Sequence, residues 1–390
     1  MPEPPGAIAA LEAALATRRA GTRWRTRRTL QGAQGVNVEI DGRTVLAFAS
    51  NDYLGLAGDA RLVEAAREGA RRHGVGAGAS HLVSGHSEAH AALERELAAF
   101  VAPCAGAEAL LFGSGYLANI AVLSALCGRE DAVFADKLNH ACLNDGAQLS
   151  RARFVRYAHG DIGALQRRLA ATPARRKVIA TDAVFSMDGD IAPLPGLFDL
   201  ARAHDALLLV DDAHGFGVLG DGRGSLAHFG IASERVVYMG TLGKAAGVCG
   251  AFVAAHPAVI ATLLQTARPY IYTTASPALL AEAVRIALAI LRDDAARRAR
   301  LAERIAQLRD GARGLPWTLA TSHTPIQPLI VGADGTAVAL AERLWREGIY
   351  VPAIRPPTVP EGSARLRISL SAAHTEAHVD QLLDALRRAA

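Results

Sequence analysis

The stretch Ala206-Leu207-Leu208-Leu209-Val210-Asp211-Asp212-Ala213-His214-Gly215 contains the most apolar strand-like run of the sequence, and it ends in charged residues. A continuously apolar strand must be covered on both faces, as the strands of parallel sheets are. A second run of this kind occupies residues 178–180. Together the two runs predict a parallel sheet that is buried between layers of helices.

From residue 108 onward, short apolar runs alternate with helical stretches. This alternation predicts an α/β fold with a mainly parallel central sheet between helices. In such sheets the chemistry collects at the carboxyl ends of the strands. The predicted strands are residues 108–112, 132–135, 153–155, 177–181, 206–211, 236–239 and 250–254.

Three regions are expected along the chain: an N-terminal helical arm over residues 1–45, a large α/β domain over 46–275 and a smaller α+β domain over 276–390. The arm is predicted to contain a helix over residues 11–28 whose arginines form either a solvated face or an anion site. In the last region we expect a charged helical stretch at 278–308, strands at 326–331, 350–354 and 366–370, a helix at 337–347 and a final helix that begins near Thr375.

The charge of the 390 residues is nearly balanced, with 42 basic and 38 acidic side chains. This balance gives no reason to expect a nucleic acid or a membrane surface as a partner. The N-terminus has no signal-peptide pattern, and the longest apolar run, residues 245–264, is interrupted by Gly and Pro. We therefore expect a cytoplasmic protein. Its four cysteines show no CxxC spacing and are expected to be small buried thiols.

Lysine is scarce, because Lys137, Lys177 and Lys244 are the only three in an arginine-rich chain. Arginine cannot replace an amine that must lose its proton and form an imine. Lys244 lies in Gly240-Thr241-Leu242-Gly243-Lys244-Ala245, a setting of low polarity. Desolvation lowers the pKa of a lysine and favours its nucleophilic form. Taken alone, this segment fits a plain Gly-rich loop equally well.

Two further segments carry candidate chemistry. Leu111-Phe112-Gly113-Ser114-Gly115-Tyr116 is a strand end that opens a helix, whose free N–H groups suit a phosphate. A plain strand–helix turn shows the same pattern. Asp211 follows the most apolar strand and needs a partner, because a buried carboxylate is costly by itself. A pyridinium nitrogen is one such partner, and a structural Asp that caps a turn is the alternative.

Two other patterns are set aside. Gly74, Gly76 and Ala79 fit GxGxxG/A, but a helical stretch precedes them where a dinucleotide fingerprint needs a strand. His86 and His90 stand four residues apart on a probable helix, in the order HxExH instead of HExxH. No third ligand is evident in the sequence, so we expect no metal.

The order of the segments, a Gly-rich turn, then Asp-x-x-His, then Thr-x-x-Lys, resembles the fold-type I enzymes that depend on pyridoxal 5′-phosphate (PLP). Longer stretches resemble one branch, the α-oxoamine synthases, which join an amino acid to an acyl thioester and release carbon dioxide. The resemblance runs from about residue 10 to the end of the chain. Its stretches are Ser50-Asn51-Asp52-Tyr53-Leu54-Gly55-Leu56, residues 76–85, Phe185-Ser186-Met187-Asp188-Gly189-Asp190, residues 210–217 and residues 240–247.

The resemblance implies roles around the cofactor. Lys244 is expected to hold PLP as a Schiff base and later to take the α-proton of the amino acid, while Asp211 keeps the pyridine nitrogen protonated. His140 is expected to stack on the ring, with a simple helix cap as the alternative. The other implied contacts are Gly115, Tyr116 and Thr241 at the phosphate, Ser186 and His214 at the phenolic oxygen, and Thr273 and Thr274 at the phosphate of a neighbouring subunit.

The same resemblance implies the substrate residues. Arg367 is expected to clamp the carboxylate of the amino acid, a bidentate task that suits arginine; a surface arginine on an edge strand is the alternative. Arg25 is expected to bind the distal carboxylate or the thioester portion of the acyl substrate. Thr358 is expected to line that pocket, and Asn51 is a further substrate contact.

The stretches Ala353-Ile354-Arg355-Pro356-Pro357-Thr358-Val359-Pro360 and Ile326-Gln327-Pro328-Leu329-Ile330-Val331 favour one kind of α-oxoamine synthase. It condenses L-alanine with a pimeloyl thioester, of coenzyme A or of acyl carrier protein, in biotin synthesis. The alternatives are a glycine C-acetyltransferase or 5-aminolevulinate synthase type of enzyme, or a non-catalytic scaffold. The resemblance also implies a homodimer. Small departures are His81-Leu82-Val83, where Gly-His-Val is frequent, and Tyr116, where Phe is common.

Overall fold

The computed structural model describes residues 6–20 and 24–390. Its first helix, α1 (Ala7–Ala20), is exposed. The predicted continuation of a helix to residue 28 is wrong, because residues 24–29 have no helical structure. Arg25 and Arg28 would stand three residues apart on such a helix, and like charges at that spacing destabilise it. Residues 21–23, with Arg23 of the predicted arginine-rich face, lie outside the described residues.

Three short antiparallel strands follow this segment, so the predicted helical arm also contains a small sheet. The hairpin between the second and third strands turns at Asp41 and Gly42, whose φ angles are 52° and 75°. Asp-Gly is the favoured pair for such a two-residue turn, so the sequence contained a signal for this hairpin that was not among the predictions. The strands are β1 (Leu30–Gln31), β2 (Asn37–Ile40) and β3 (Arg43–Ala47).

A seven-stranded sheet forms the centre of the molecule, and every predicted strand is present in it. The order along the sheet is β4-β10-β9-β8-β7-β5-β6. Neighbours are parallel except around β10, which is antiparallel to both β4 and β9. The strands are β4 (Glu108–Phe112), β5 (Ala132–Asp136), β6 (Arg153–Tyr157), β7 (Lys177–Asp182), β8 (Ala206–Asp211), β9 (Val236–Thr241) and β10 (Ala251–Ala255).

Helices cover both faces of this sheet, as the continuously apolar strands predict. Leu208, Leu209 and Val210 of β8 have no exposed surface, and burying a side chain of this size contributes about 1.5–3 kcal/mol. A π-helix at His81–Gly85 precedes the second of the covering helices. The helices are α2 (Ala60–His73), α3 (Glu88–Val101), α4 (Gly115–Leu126), α5 (Ala141–Leu149), α6 (Ile162–Ala171), α7 (Leu194–Ala203), α8 (Ser225–Phe229), α9 (Pro257–Thr266) and α10 (Arg268–Ile271).

The C-terminal region consists of helices and a small sheet, as expected for an α+β domain. Its charged helical stretch is divided at Asp294, whose side chain accepts a hydrogen bond from the N–H of Arg297 and caps the second helix. A four-stranded sheet, β11-β12-β15-β14, packs with the helix Asp334–Arg346. The elements are α11 (Ala278–Asp293), α12 (Ala295–Gly311), β11 (Thr318–Leu319), β12 (Ile326–Gly332), α13 (Asp334–Arg346), β13 (Ile349–Tyr350), β14 (Ala353–Ile354), β15 (Ala364–Ser369) and α14 (Glu376–Ala389).

Two contacts cross the expected domain limits. β13 pairs in parallel with β3, which joins the C-terminal region to the first strands, and α11 packs on α2 and α3. The limits at residues 45/46 and 275/276 therefore stay a prediction.

Among the described residues, no helix combines the length and the apolar character that crossing a membrane requires. Three of the cysteines are buried as expected, whereas Cys249 is exposed.

Candidate active site

Three turns of the chain meet at the carboxyl ends of the central strands. In the first, between β4 and α4, the Ser114 side chain caps the helix by accepting a hydrogen bond from the Leu117 N–H at 3.3 Å. The second follows β8 and carries Asp211 and His214. The third carries Lys244 between β9 and β10. Because β8 and β9 are neighbours, their ends bring the predicted carboxylate and the predicted amine to the same place.

The turns enclose a cavity of about 190 Å³ that brings together seven of the predicted site residues. The cavity is lined by the predicted residues Gly115, Tyr116, His140, Asp211, His214, Thr241 and Lys244, and by Cys142, Asp182, Ala213 and Met239.

Asp211 is buried in the wall of this cavity and is held from both sides. One carboxylate oxygen accepts a hydrogen bond from Asn119 Nδ2 at 2.6 Å, and the other accepts from the Ala213 N–H at 3.0 Å. Burial raises the pKa of Asp211, while Lys244 and these hydrogen bonds oppose the rise. Burial and the nearby Asp211 also raise the pKa of Asp182 well above its usual value. A cation in the cavity would favour the ionised form of Asp211.

A chain of hydrogen bonds leads from Lys244 to a second predicted residue, Arg367. Lys244 Nζ lies 2.8 Å from His214 Nε2, and His214 Nδ1 lies 2.6 Å from the hydroxyl of Tyr53. That hydroxyl donates to Asn51 Oδ1 at 3.2 Å, which also accepts from Arg367 Nη1 at 3.1 Å. Since the Tyr53 proton points to Asn51, the pattern assigns the His214 proton to Nδ1, and Nε2 accepts from Lys244.

The electrostatics around His214 and Lys244 favour a neutral histidine beside a reactive amine. Burial, and after it the charge of Lys244, lowers the pKa of His214 well below its usual value. Burial also lowers the pKa of Lys244 to about 8, against an opposing effect of Asp211. Near neutral pH a useful fraction of Lys244 is therefore unprotonated, as a nucleophile or a base must be.

Arg367 is a buried arginine on β15, an interior strand of its sheet. The alternative of a surface arginine on an edge strand is therefore wrong. Its Nε donates to the Ser186 carbonyl oxygen at 2.6 Å, and its Nη1 donates to Ser369 Oγ at 2.7 Å as well as to Asn51. These bonds fix the guanidinium. They also place Ser186, predicted at the cofactor, beside Arg367 through its backbone.

Lys244 also lines a second cavity, of about 540 Å³. Leu30, Val38 and Ile40 give it an apolar wall, and Arg28 lines it as well. The Arg28 guanidinium lies 3.8 Å from the centre of the Trp345 ring. Its ion pair with Asp41 spans 3.7 Å and is exposed to solvent, which makes it weak.

Arg25 and Thr358, the predicted acyl-substrate residues, are both exposed and do not line this cavity. Their roles stay predictions. A larger cavity of about 820 Å³ lies between α2, α3 and α11. It contains none of the predicted site residues, and its Arg285 is already paired with Glu96 and Glu282.

His140 caps α5, because its Nδ1 accepts a hydrogen bond from the Cys142 N–H at 3.3 Å. Its backbone N–H donates to Asp182 at 2.7 Å, so the ring is held at the cavity whether or not it stacks on a cofactor. The hydroxyl of Tyr116 donates to Asp145. Thr273 and Thr274 follow α10, and their predicted contact with a neighbouring subunit stays a prediction.

The groups around the smaller cavity fit PLP. The first N–H groups of α4, on Gly115 and Tyr116, have no acceptor within the helix and suit a phosphate. Asp211 suits a protonated pyridine nitrogen, and the amine of Lys244 suits an aldehyde. The Thr241 side chain is not yet oriented to bind a phosphate. Its hydroxyl donates a hydrogen bond to the Gly250 carbonyl oxygen at 3.1 Å and must rotate to reach a phosphate.

Asn119 and Tyr53, which hold Asp211 and His214, were not among the residues predicted from the sequence. Tyr53 lies in one of the stretches that carried the family resemblance, so a signal was present. Asn119 has no local signal beyond being polar in an apolar helix, where a fully buried amide needs a partner.

Comparisons with known proteins cover nearly the whole chain. The family model described as aminotransferase class I and II matches residues 43–386. An 8-amino-7-oxononanoate synthase from Methylobacillus flagellatus is 56% identical over 380 residues, which are 97% of this chain and 95% of the relative. A serine palmitoyltransferase structure from Sphingomonas wittichii matches with a TM-score of 0.93 at 30% identity, covering 99% of this chain and 98% of its own. An SPT structure with a PLP internal aldimine matches with a TM-score of 0.92 at 28% identity, with the same coverage of 99% and 98%.

Proposed function

Because the chain belongs to the class I and II aminotransferases and to the 8-amino-7-oxononanoate synthases, we propose that it condenses L-alanine with a pimeloyl thioester. It is a PLP-dependent acyltransferase. The products are 8-amino-7-oxononanoate, carbon dioxide and the free thiol carrier, a step of biotin synthesis. The observation that carries the proposal is that Lys244 lines two cavities, one with Asp211 and the other with Arg28.

The residues of the smaller cavity have separate tasks in this proposal. Bound PLP withdraws electrons from the α-carbon of the amino acid and so makes its proton removable. Asp211 holds the pyridine nitrogen through a charge-assisted hydrogen bond. The N–H groups of Gly115 and Tyr116 hold the phosphate, and the ring of His140 covers one face of the site.

Lys244 is assigned two tasks, to hold the cofactor covalently and, once freed, to move the α-proton at its Nζ atom. His214 Nε2 accepts a hydrogen bond from this amine at 2.8 Å and keeps it in place. Because burial keeps His214 neutral, the histidine orients the amine without adding a second positive charge. The pKa of about 8 for Lys244 suits proton transfer near neutral pH.

Arg367 is assigned to the carboxylate of L-alanine. Its Nε and Nη1 are already bonded to Ser186, Ser369 and Asn51, and we assign Nη2 to the substrate. A guanidinium that is held in advance loses little freedom when it binds a carboxylate. Asn51 then acts on the substrate through Arg367.

The cavity of about 540 Å³ that is lined by Lys244 and Arg28 is assigned to the acyl chain. A pimeloyl group is a long methylene chain that ends in a carboxylate, and the cavity offers an apolar wall and the Arg28 guanidinium. An acetyl group has neither a distal carboxylate nor a methylene chain, and a succinyl group has a shorter methylene chain to place against the wall. This lining supports the pimeloyl thioester over the substrates of the glycine-using alternatives. Arg25 and Thr358 stay secondary candidates for the carrier end of the thioester.

We further propose that the protein works as a homodimer in the cytoplasm, with Thr273 and Thr274 reaching the phosphate site of the other subunit. The carrier of the acyl group is coenzyme A or acyl carrier protein. A scaffold without catalysis would have no use for a buried amine with a lowered pKa, which makes that alternative the weaker one.

The test uses purified protein with PLP, L-alanine and pimeloyl-coenzyme A, with coenzyme A release as the readout. We expect release only when both substrates are present, and a visible cofactor band that Lys244→Ala abolishes. Lys137→Ala, which removes an exposed lysine, is the matched control and should keep both the band and the activity. If the cofactor band is present but coenzyme A is released only with glycine and a shorter thioester, the substrates are those of the glycine-using alternatives. Absence of any band would refute the role of Lys244.

A further inference from the structure

Three histidines that the proposed reaction does not use meet beside α3. His86 and His90 form the HxExH pattern of the sequence, for which no third ligand was evident. The fold supplies one, because the π-helix brings His81 next to them, and the three possible ligand atoms lie within 4.8 Å of one another. His81 Nδ1 and His86 Nδ1 are 3.0 Å apart.

The geometry of the cluster suits a tetrahedral metal ion. Two ligands of one tetrahedral zinc ion lie about 3.3 Å apart, given a Zn–N distance of about 2.0–2.1 Å. The 3.0 Å between the facing Nδ1 atoms is close to that separation.

A partly buried carboxylate lies behind the cluster. Glu94 Oε2 is 3.8 Å from His86 Nε2, the ring nitrogen that does not face His81. Histidines that bind a metal almost always donate their other N–H to a carboxylate, a carbonyl or a water.

We propose that His81, His86 and His90 form a site for one divalent ion of the zinc class, with Glu94 as the outer partner of His86. The ion replaces the hydrogen bond between the two facing Nδ1 atoms. His90 Nδ1 now accepts from the Ser87 N–H at 3.0 Å, and Nε2 donates to the Ser276 carbonyl oxygen at 2.8 Å. His90 gives up the Ser87 bond to become the third ligand and keeps the bond to Ser276.

Such an ion would stabilise the segment around the predicted phosphate residues Thr273 and Thr274. Ser80, which precedes His81, forms a bridge with Thr274, and His90 holds Ser276. The ion would therefore join the π-helix and α3 to the chain that follows α10. Imidazole ligands without a thiolate favour zinc, nickel or copper over calcium or magnesium.

The experiment titrates zinc into the PLP-loaded, full-length protein after dialysis against a chelator, in a Cys249→Ser background that removes the exposed thiol. Competition with a chromophoric chelator should give one zinc per chain, bound in the micromolar range or tighter. His81→Gln and His86→Gln should abolish this binding, and Glu94→Gln should weaken it roughly 10- to 100-fold. His323→Gln, an exposed histidine elsewhere, should leave it unchanged.

A second readout is the melting temperature, which zinc should raise in the parent protein and not in His81→Gln or His86→Gln. Neither variant changes a proposed catalytic residue, so coenzyme A release measured without zinc, relative to the parent protein without zinc, shows whether each is folded. Zinc that fails to bind at one ion per chain, or that binds equally well to folded His81→Gln and His86→Gln, would overturn the proposal.

Discussion

Replacing Asn119 with Ala tests how the fold prepares Asp211 for the cofactor. The change removes the amide that donates to Asp211 Oδ2 at 2.6 Å, at a position with no exposed surface. Asp211 then keeps only its hydrogen bond from the Ala213 N–H. Its pKa, which burial already raises, must rise further because the Asn119 bond lowers it. The ionised carboxylate that pairs with a pyridinium becomes scarcer.

The size of the effect follows from the kind of bond that is lost. A hydrogen bond to a charged group contributes about 1.5–3 kcal/mol, and each 1.4 kcal/mol changes an equilibrium constant about tenfold. Because PLP binding feels this loss only through the ionisation of Asp211, we expect the affinity of the Asn119→Ala protein for PLP to fall by up to about 150-fold. The cofactor band of the loaded protein should remain, because the amine of Lys244 is unchanged.

The affinity is measured by titrating the cofactor-free protein with PLP and following the absorbance of the bound form. Asn144→Ala is the matched control. Like Asn119, Asn144 has a buried amide oxygen without a hydrogen-bond partner among the described residues, but it donates to the Asn139 carbonyl oxygen instead of to Asp211. If both variants bind PLP as tightly as the parent protein, Asn119 does not tune Asp211 and the reasoning is refuted.

Three further outcomes are expected. Arg28→Met should lower kcat/KM for pimeloyl-coenzyme A about 10- to 150-fold relative to heptanoyl-coenzyme A, which lacks the distal carboxylate; a selective loss in Arg25→Met instead would assign that carboxylate to Arg25. His159 lies between two carboxylates that raise its pKa to about 10, so its contribution to stability is complete below its unfolded pKa of about 6.5 and is lost between there and pH 10. The difference in denaturant unfolding between the parent protein and His159→Gln should shrink across that range, and a constant difference would contradict the assignment. Gly224→Ala should lower the melting temperature more than Gly230→Ala does, because a methyl group at the first site overlaps a buried carboxylate and at the second meets nothing within 4 Å; equal shifts would show that the loop adjusts.

The central sheet and the main site residues could be predicted because their signals are local. A strand that is buried on both faces must be apolar along its whole length, and β8 is. Once such strands are located, Asp211 and Lys244 are seen to lie at or just beyond the ends of neighbouring strands. Ligands of α/β sheets bind at these ends. The Asp-Gly turn of the first hairpin was equally local and was overlooked.

Contacts between distant segments could not be predicted in this way. Asn119 and Asp211 are 92 positions apart, and Tyr53 and His214 are 161 apart. No periodicity links such pairs, because their approach depends on how helices pack on the sheet. The arginines before β1 present a different problem, since an irregular segment has no repeat that indicates which side chain points inward. Arg28, and not Arg25, lines the cavity beside Lys244.

The cavity assigned to the acyl chain is built from the two ends of the chain, since its walls include Arg28, Leu30 and Val38 together with Tyr350. The seven-stranded sheet, in contrast, is complete by residue 255. During synthesis from the N-terminus, the seven-stranded sheet and the Lys244 loop can therefore form first. The pairing of β3 with β13 forms only after residues 349–350 have been synthesised. Closing a loop of some 300 residues adds little entropy cost beyond that of a shorter one, but it is slow. Cofactor binding alone would therefore not show that the acyl cavity is complete, because that cavity also requires Tyr350.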